Sequence, residues 1–184
     1  MSDEPDQPKK TFLYVIVCAA GIVGDVGKLI TAAQERHWDA GVIATPQALG
    51  FINVQAIEAQ TGYPIRSAWR TPGEPRPLPP ADAIAVAPAT FNTINKWAAG
   101  ISDTLALGIL CEAYGFGIPT AVLPYLNSAQ AAHPAYRQSL DRLCEMGVLI
   151  RAYEPHRPKA GSGADCFRWE EALELLTPQL PVRM

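Results

Sequence analysis

Charge is sparse in this chain. Only 18% of its 184 residues are charged, and the formal net charge is −3. No basic field is present to recruit nucleic acid or an anionic membrane surface. Long apolar runs are also missing: none approaches the roughly 18–20 residues of a membrane span. The opening MSDEPDQPKK is polar and lacks the hydrophobic region of a signal peptide. Residues 1–10 therefore read as a disordered tail, and the protein as cytoplasmic, without membrane or nucleic-acid partners. The three histidines, His37, His133 and His156, are scattered, and the four cysteines form no CxxC pair. Zinc-ligand spacing is absent, so no metal site is expected. In a reducing cytosol Cys18, Cys111, Cys144 and Cys166 are expected to be buried thiols acting as small hydrophobes. Neither a GxGxxG fingerprint nor a Walker lysine pattern occurs.

What is present is a 48% hydrophobic chain of one-domain size. TFLYVIVCAAG is a continuous apolar run, as expected of a parallel strand buried on both faces. In DVGKLITAAQERH, Val26, Leu29, Ile30 and Ala33 share one helical face. WDAGVIATP, DAIAVAP, IPTAVLPY and VLIRAYE read as further strands. PQALGFINVQAIEAQTG reads as a helix ended by Gly62. One or two helices lie within INKWAAGISDTLALGILCEAYG. An amphipathic helix, with Leu140, Leu143 and Met146 inward, covers PAYRQSLDRLCEMG, and RWEEALELLTPQL forms a C-terminal helix. Six prolines between Pro64 and Pro80 make residues 63–80 an extended loop, with one short edge strand near Ile65–Trp69. The Gly/Pro/Lys-rich segment 155–167 reads as a mobile loop. Strands alternating with helices imply a single α/β domain over 11–184, a three-layer αβα, Rossmann-like, doubly wound parallel sheet. Ligands of such sheets bind beyond the carboxyl ends of the strands.

Four stretches follow strand ends. In CAAGIVGD, small residues lead into a helix, which suits either a phosphate cradle or tight strand–helix packing. In ATPQALGF, Thr45 either caps the helix that begins at Pro46 or offers its hydroxyl to a phosphate oxygen. In PATFNTINKWAAGISD, Thr90, Asn92 and Thr93 cluster at a strand's carboxyl end. A cap is one explanation, but so many polar groups together favour a ligand. In LPYLNSAQAAHP, Asn127 follows a strand, and His133 precedes Pro134 at a helix start, where a structural role suffices.

PATFNTINKWAAGISDTLA resembles the Pro-Ala-Ser-Ala-Asn-Thr motif of the flavin-containing cysteine decarboxylases. PYLN resembles their Pro-x-Met-Asn motif, and the following HPA also fits. The group includes phosphopantothenoylcysteine decarboxylases and the enzymes that oxidatively decarboxylate the C-terminal cysteine of lantibiotic peptides. The resemblance runs from about Thr11 to Ile150. It implies an FMN-binding homo-oligomer, a trimer or a dodecamer of trimers, with the flavin at a subunit interface. It places Gly21, Ile22 and Thr45 near the phosphate and Phe51 near the flavin. Ala89, Thr90, Asn92 and Thr93 would bind the flavin or support its pocket, and Asn127 would hold the substrate carboxylate. The flavin takes two electrons, and the oxidised thioaldehyde loses CO₂ readily.

The pattern also departs from that family. Ile22 stands where its phosphate loop has serine, Phe91 where the first motif has a small residue, and Leu126 where the second has methionine. The family's catalytic histidine precedes the strand that leads into the first motif. Here TPGEPRPLPPAD contains none, and Glu74 or Arg76 is nearest. A second possibility therefore stands beside decarboxylation: an FMN protein of the same fold with another redox or transferase reaction, or a noncatalytic partner role.

Overall fold

The computed structural model describes residues 10–158 and 164–181. The tail expected over 1–10 lies, apart from Lys10, outside the described residues, as do 159–163 of the loop expected at 155–167. Five strands, β1 (Phe12–Val17), β2 (Asp39–Ala44), β3 (Ala83–Ala89), β4 (Thr120–Pro124) and β5 (Leu149–Ile150), form one sheet in the order β2-β1-β3-β4-β5. Every pairing is parallel. Parallel strands need crossovers, which put helices on both faces and bury both sides of each strand. β1 shows the result: Leu13, Val15 and Val17 enter one core while Phe12, Ile16 and Cys18 enter the other.

The first core is covered by α1 (Gly27–Glu35), α2 (Val54–Thr61) and α7 (Glu171–Leu176). Val26, Leu29, Ile30 and Ala33 are all buried there. β3 contributes only alanines to this face, Ala83, Ala85 and Ala87, and β4 adds Ala121 and Leu123. The small alanine side chains let α7 lie across β3 and β4, with Trp169, Leu173 and Leu176 filling the space above them. The second core lies under α3 (Phe91–Ala98), α4 (Leu105–Phe116) and α6 (Pro134–Glu145), with the one-turn α5 (Ser128–Ala131) beside α6.

Three local expectations change. The helix expected from Pro46 to Gly62 is split into a 3₁₀ turn, Pro46–Phe51, and α2, because the Asn53 side chain accepts the Ala56 N–H at 3.1 Å and starts a new helix. Gly62 ends α2 with φ 75°, a conformation that glycine adopts freely. The edge strand near Ile65–Trp69 reduces to one bridge, in which the Arg66 N–H donates to Val42 and its carbonyl accepts from Ala44. Only Cys18 is a fully buried thiol; Cys111 is half-buried and Cys144 and Cys166 are exposed. Cys144 follows the buried Leu143, and one residue turns a helix by about 100°. Within the segment 155–167, two described residues make long-range or ring contacts. His156 bridges to Asn127, and Phe167 is buried against Trp169 with ring centroids 4.9 Å apart.

Because Leu173 is fully buried over the alanine face, Leu173→Ala is expected to lower stability by about 2–5 kcal/mol. Urea unfolding followed by circular dichroism measures this. A loss below about 1 kcal/mol, the level of an ordinary substitution, would separate α7 from the cooperative core.

Candidate functional site

β1 lies between β2 and β3, so the chain leaves it in opposite directions and a crevice opens beyond its carboxyl end. A cavity of about 410 Å³ occupies that crevice. Its floor is the turn after β1. A Cβ built on Gly21 would meet no atom within 4 Å, so any side chain there would project into open space. The N–H groups of Gly21 and Ile22 make no hydrogen bond among the described residues, although the next one, on Val23, donates to Ala20 at 3.0 Å.

Thr45 supplies the wall after β2. Its side chain is only 8% exposed, and its hydroxyl does not cap the turn that follows. Pro46 has no N–H to offer at that turn's first position. The hydroxyl is left facing the cavity.

The wall after β3 is held by a small network. The Thr90 hydroxyl caps α3 by accepting the Thr93 N–H at 3.4 Å, and it donates to the Thr93 hydroxyl at 3.2 Å. From β1, the Cys18 thiol also donates to Thr93 Oγ1, at 3.2 Å. Burial pushes that thiol's pKa up, which keeps it protonated as a donor. The Asn92 side chain lies at the cavity and makes no hydrogen bond among the described residues. The first N–H groups of α3 have no intrahelical partner and carry the positive end of the helix dipole. One turn on, Lys96 joins the wall and pairs with Asp103 at 2.5 Å.

Tyr125 and Leu126 follow β4, and His156 stacks on the Tyr125 ring with centroids 4.8 Å apart. Burial raises the Tyr125 phenol. Among the described residues, no aspartate or glutamate lines the cavity. The donor set of amides, hydroxyls, amide side chains and one ammonium suits a ligand rich in anionic oxygens, bounded by aromatic surface.

Gly21, Thr45, Thr90, Asn92 and Thr93 are thus brought together. Ile22 and Ala89 are buried in the cores behind the wall, and Phe51 is 57% exposed and outside it. Asn127 stands between the wall residues Leu126 and Gln130, where its side-chain oxygen caps α5 by accepting the Gln130 N–H at 2.9 Å. Its N–H₂ group remains available. Glu74 and Arg76 do not reach this cavity within one chain. Arg76 lines a separate hollow of about 480 Å³ with Arg66, Arg70 and Trp69, between the proline-rich loop and α4. Glu74 holds its own turn by accepting the Thr71 N–H at 3.0 Å. The loop runs over the second core instead, with Leu78 seated against Gly41.

Sequence inspection missed Lys96, Thr104, Gln130 and His156. Lys96 was within reach, since it sits one helical turn beyond Asn92. His156 was not, because only a long-range backbone bridge places it.

A family model described as Flavoprotein matches residues 1–168. The bifunctional coenzyme A biosynthesis protein CoaBC of Escherichia coli (strain K12) is 30% identical over 129 residues, covering 67% of this chain and 31% of that protein. The chain thus spans about a third of the length of such curated relatives. A phosphopantothenoylcysteine decarboxylase of Arabidopsis thaliana is 26% identical over 147 residues, 74% of this chain and 69% of that one. Among solved structures, the FMN-binding protein AtHal3 shares the fold with a TM-score of 0.71 at 18% identity, covering 94% of this chain and 100% of that one. The FMN-dependent cysteine decarboxylase TvaF, from thioviridamide biosynthesis, aligns with a TM-score of 0.65 at 26% identity over 78% of this chain and 90% of that one. With the model matching nearly the whole chain, and the doubly wound sheet found beneath it, this protein belongs to the Flavoprotein family.

Proposed function

We propose that the cavity binds FMN and that the protein oxidatively decarboxylates a cysteine-containing substrate, a peptide's C-terminal cysteine or a phosphopantothenoylcysteine-like molecule. The observation that carries this is the acid-free, donor-rich wall at the switch point, built by the two stretches that resemble the decarboxylase motifs. The residues fit a flavin mononucleotide. Gly21, whose amide is free like that of Ile22, and the uncommitted Thr45 hydroxyl line the same cavity and can hold a phosphate. Thr90, Asn92 and Thr93 supply the polar edge for a ring system, with Ala89 and Ile22 packed behind. When bound, the flavin supplies a two-electron acceptor.

The protein's own task is position and electrostatics. Asn127 orients a carboxylate with its N–H₂ group, since the cap commits its oxygen to Gln130. A neutral amide suits a carboxylate that must leave as CO₂. Leu126 and Tyr125 narrow the cavity and limit water around the reacting carbon. Trp69, Tyr114, Phe116 and Phe51 are large apolar side chains left exposed on one chain. They support a homo-oligomer, a trimer or a dodecamer of trimers, in which Phe51 reaches the flavin of a neighbouring copy. The second possibility, an FMN protein with another reaction or a partner role, draws on the absence of histidine from residues 63–80.

The purified protein is expected to be yellow, and heat-released cofactor to co-chromatograph with FMN, while light scattering of the loaded protein reads the assembly. Cys-terminated peptides or phosphopantothenoylcysteine should lose the mass of CO₂ plus two hydrogens. A colourless protein that takes up no FMN ends the proposal. FMN binding without that mass change leaves the second possibility.

Thr45→Val removes a hydroxyl that caps nothing. Unfolding should be unchanged, while FMN affinity, read by fluorescence titration, falls roughly 10- to 100-fold, the worth of one hydrogen bond to a charged group.

Asn127→Asp keeps the α5 cap, because aspartate caps as well as asparagine. It removes the N–H donors and sets a negative charge against a negative substrate. Turnover is expected to fall roughly 10- to 100-fold from the lost hydrogen bond alone, at unchanged FMN content. Full turnover by this variant would remove Asn127 from the carboxylate site.

A further inference from the structure

We propose that His156 takes the proton of the substrate thiol, an inference that rests on the decarboxylase function proposed for this cavity. Oxidising an H–C–S–H group to C=S removes two hydrogens. The carbon-bound hydrogen leaves with its electron pair to the flavin. The thiol hydrogen leaves as a proton: the S–H bond breaks and an N–H bond forms on the imidazole. A cysteine thiol titrates at about 8.5, so at neutral pH most substrate arrives protonated and needs an acceptor.

The wall offers few acceptors. No carboxylate lines it. Lys96 is a cation held by Asp103. Tyr125 is a phenol that burial keeps protonated. His156 is the remaining titratable group on the wall. The other histidines are elsewhere: His133 Nδ1 accepts the Ala135 N–H at the start of α6, and His37 lies in the turn between α1 and β2.

The backbone fixes the ring. The His156 N–H donates to Leu126 at 3.3 Å, and its carbonyl accepts from Ser128 at 2.8 Å. The imidazole lies on Tyr125 at an interplanar angle of 33°. His156 Nδ1 is 3.1 Å from the Arg157 carbonyl, which can only accept. In the neutral ring Nδ1 therefore carries the hydrogen, and the lone pair is on Nε2. Nε2 makes no hydrogen bond among the described residues. Among the described residues, the charged side chains on the cavity wall and on its own segment are Lys96, paired with Asp103, and Glu154 and Arg157. The same isolated bridge pairs His156 with Asn127, so the proposed proton acceptor and the proposed carboxylate-holding amide sit on paired backbone segments.

The test compares FMN-loaded wild type with His156→Phe, which keeps a ring on Tyr125, and His156→Ala. Turnover of a Cys-terminated peptide is measured against pH. His156→Phe is expected to retain wild-type FMN absorbance and to lose about 100-fold or more in kcat at neutral pH, a typical general-base contribution. Its rate should rise only as pH nears the thiol range, about 8.5, whereas wild type already turns over at neutral pH. Added imidazole should restore turnover to His156→Ala. Without turnover, a peptide ending in an aminoethanethiol amide should show thiolate ultraviolet absorbance on binding wild type at neutral pH, but not on binding His156→Phe.

Variants that keep wild-type rate, pH profile and thiolate signal would overturn the role of His156 alone. A wild type that yields no decarboxylated product overturns the proposed function and this role together.

Discussion

The position of β1 governs everything else in the molecule. It is flanked by β2 and β3 in a wholly parallel sheet, so the chain must cross over on one face and return on the other. Both faces of β1 are thereby buried, which demands an unbroken apolar strand. The same reversal separates the loops at its carboxyl end and opens a crevice there. Cys18 ties the two sides of that crevice together: it ends the run of β1 while its thiol donates to Thr93 at the start of α3. The interaction is small, but it couples the central strand to the helix whose N-terminus forms a cavity wall.

Hydrogen-bond commitment sorts the polar residues of the site. Thr90, Thr104 and Asn127 each give a side-chain oxygen to a helix N-terminus. Those bonds hold helices α3, α4 and α5 in position around the cavity. Thr45 and Asn92 make no such bond, and the Gly21 and Ile22 amides are likewise uncommitted. Committed and uncommitted polar groups thus alternate between neighbours of the same chemistry. Asn127 has its oxygen fixed by the cap and its N–H₂ group left over.

Much of the architecture was legible in the chain. The apolar run of β1, the helical face of Val26, Leu29, Ile30 and Ala33, and the left-handed stop at Gly62 follow from local sterics and periodicity. The cluster Thr90, Asn92 and Thr93 was legible because polar residues directly follow a buried strand. The proline-rich loop was legible as a loop but not in its destination. Nothing local indicates that Leu78 seats against Gly41 and carries Glu74 and Arg76 away from the cavity.

The sequence by itself determined the class of fold, because strand burial and helix amphipathicity are written in residues close together along the chain. It also determined that the strand ends after β1, β2, β3 and β4 hold small and polar groups. Only the tertiary structure decided which of those groups meet. Ile22 and Ala89 turn into the cores, Phe51 turns to the surface, and His156 enters the cavity from a segment that looked like a plain loop. The reason is physical: each of these placements is set by pairing between residues distant in sequence. The bridge from Asn127 to His156 is such a pairing, and no local propensity encodes a partner that the chain has not yet reached.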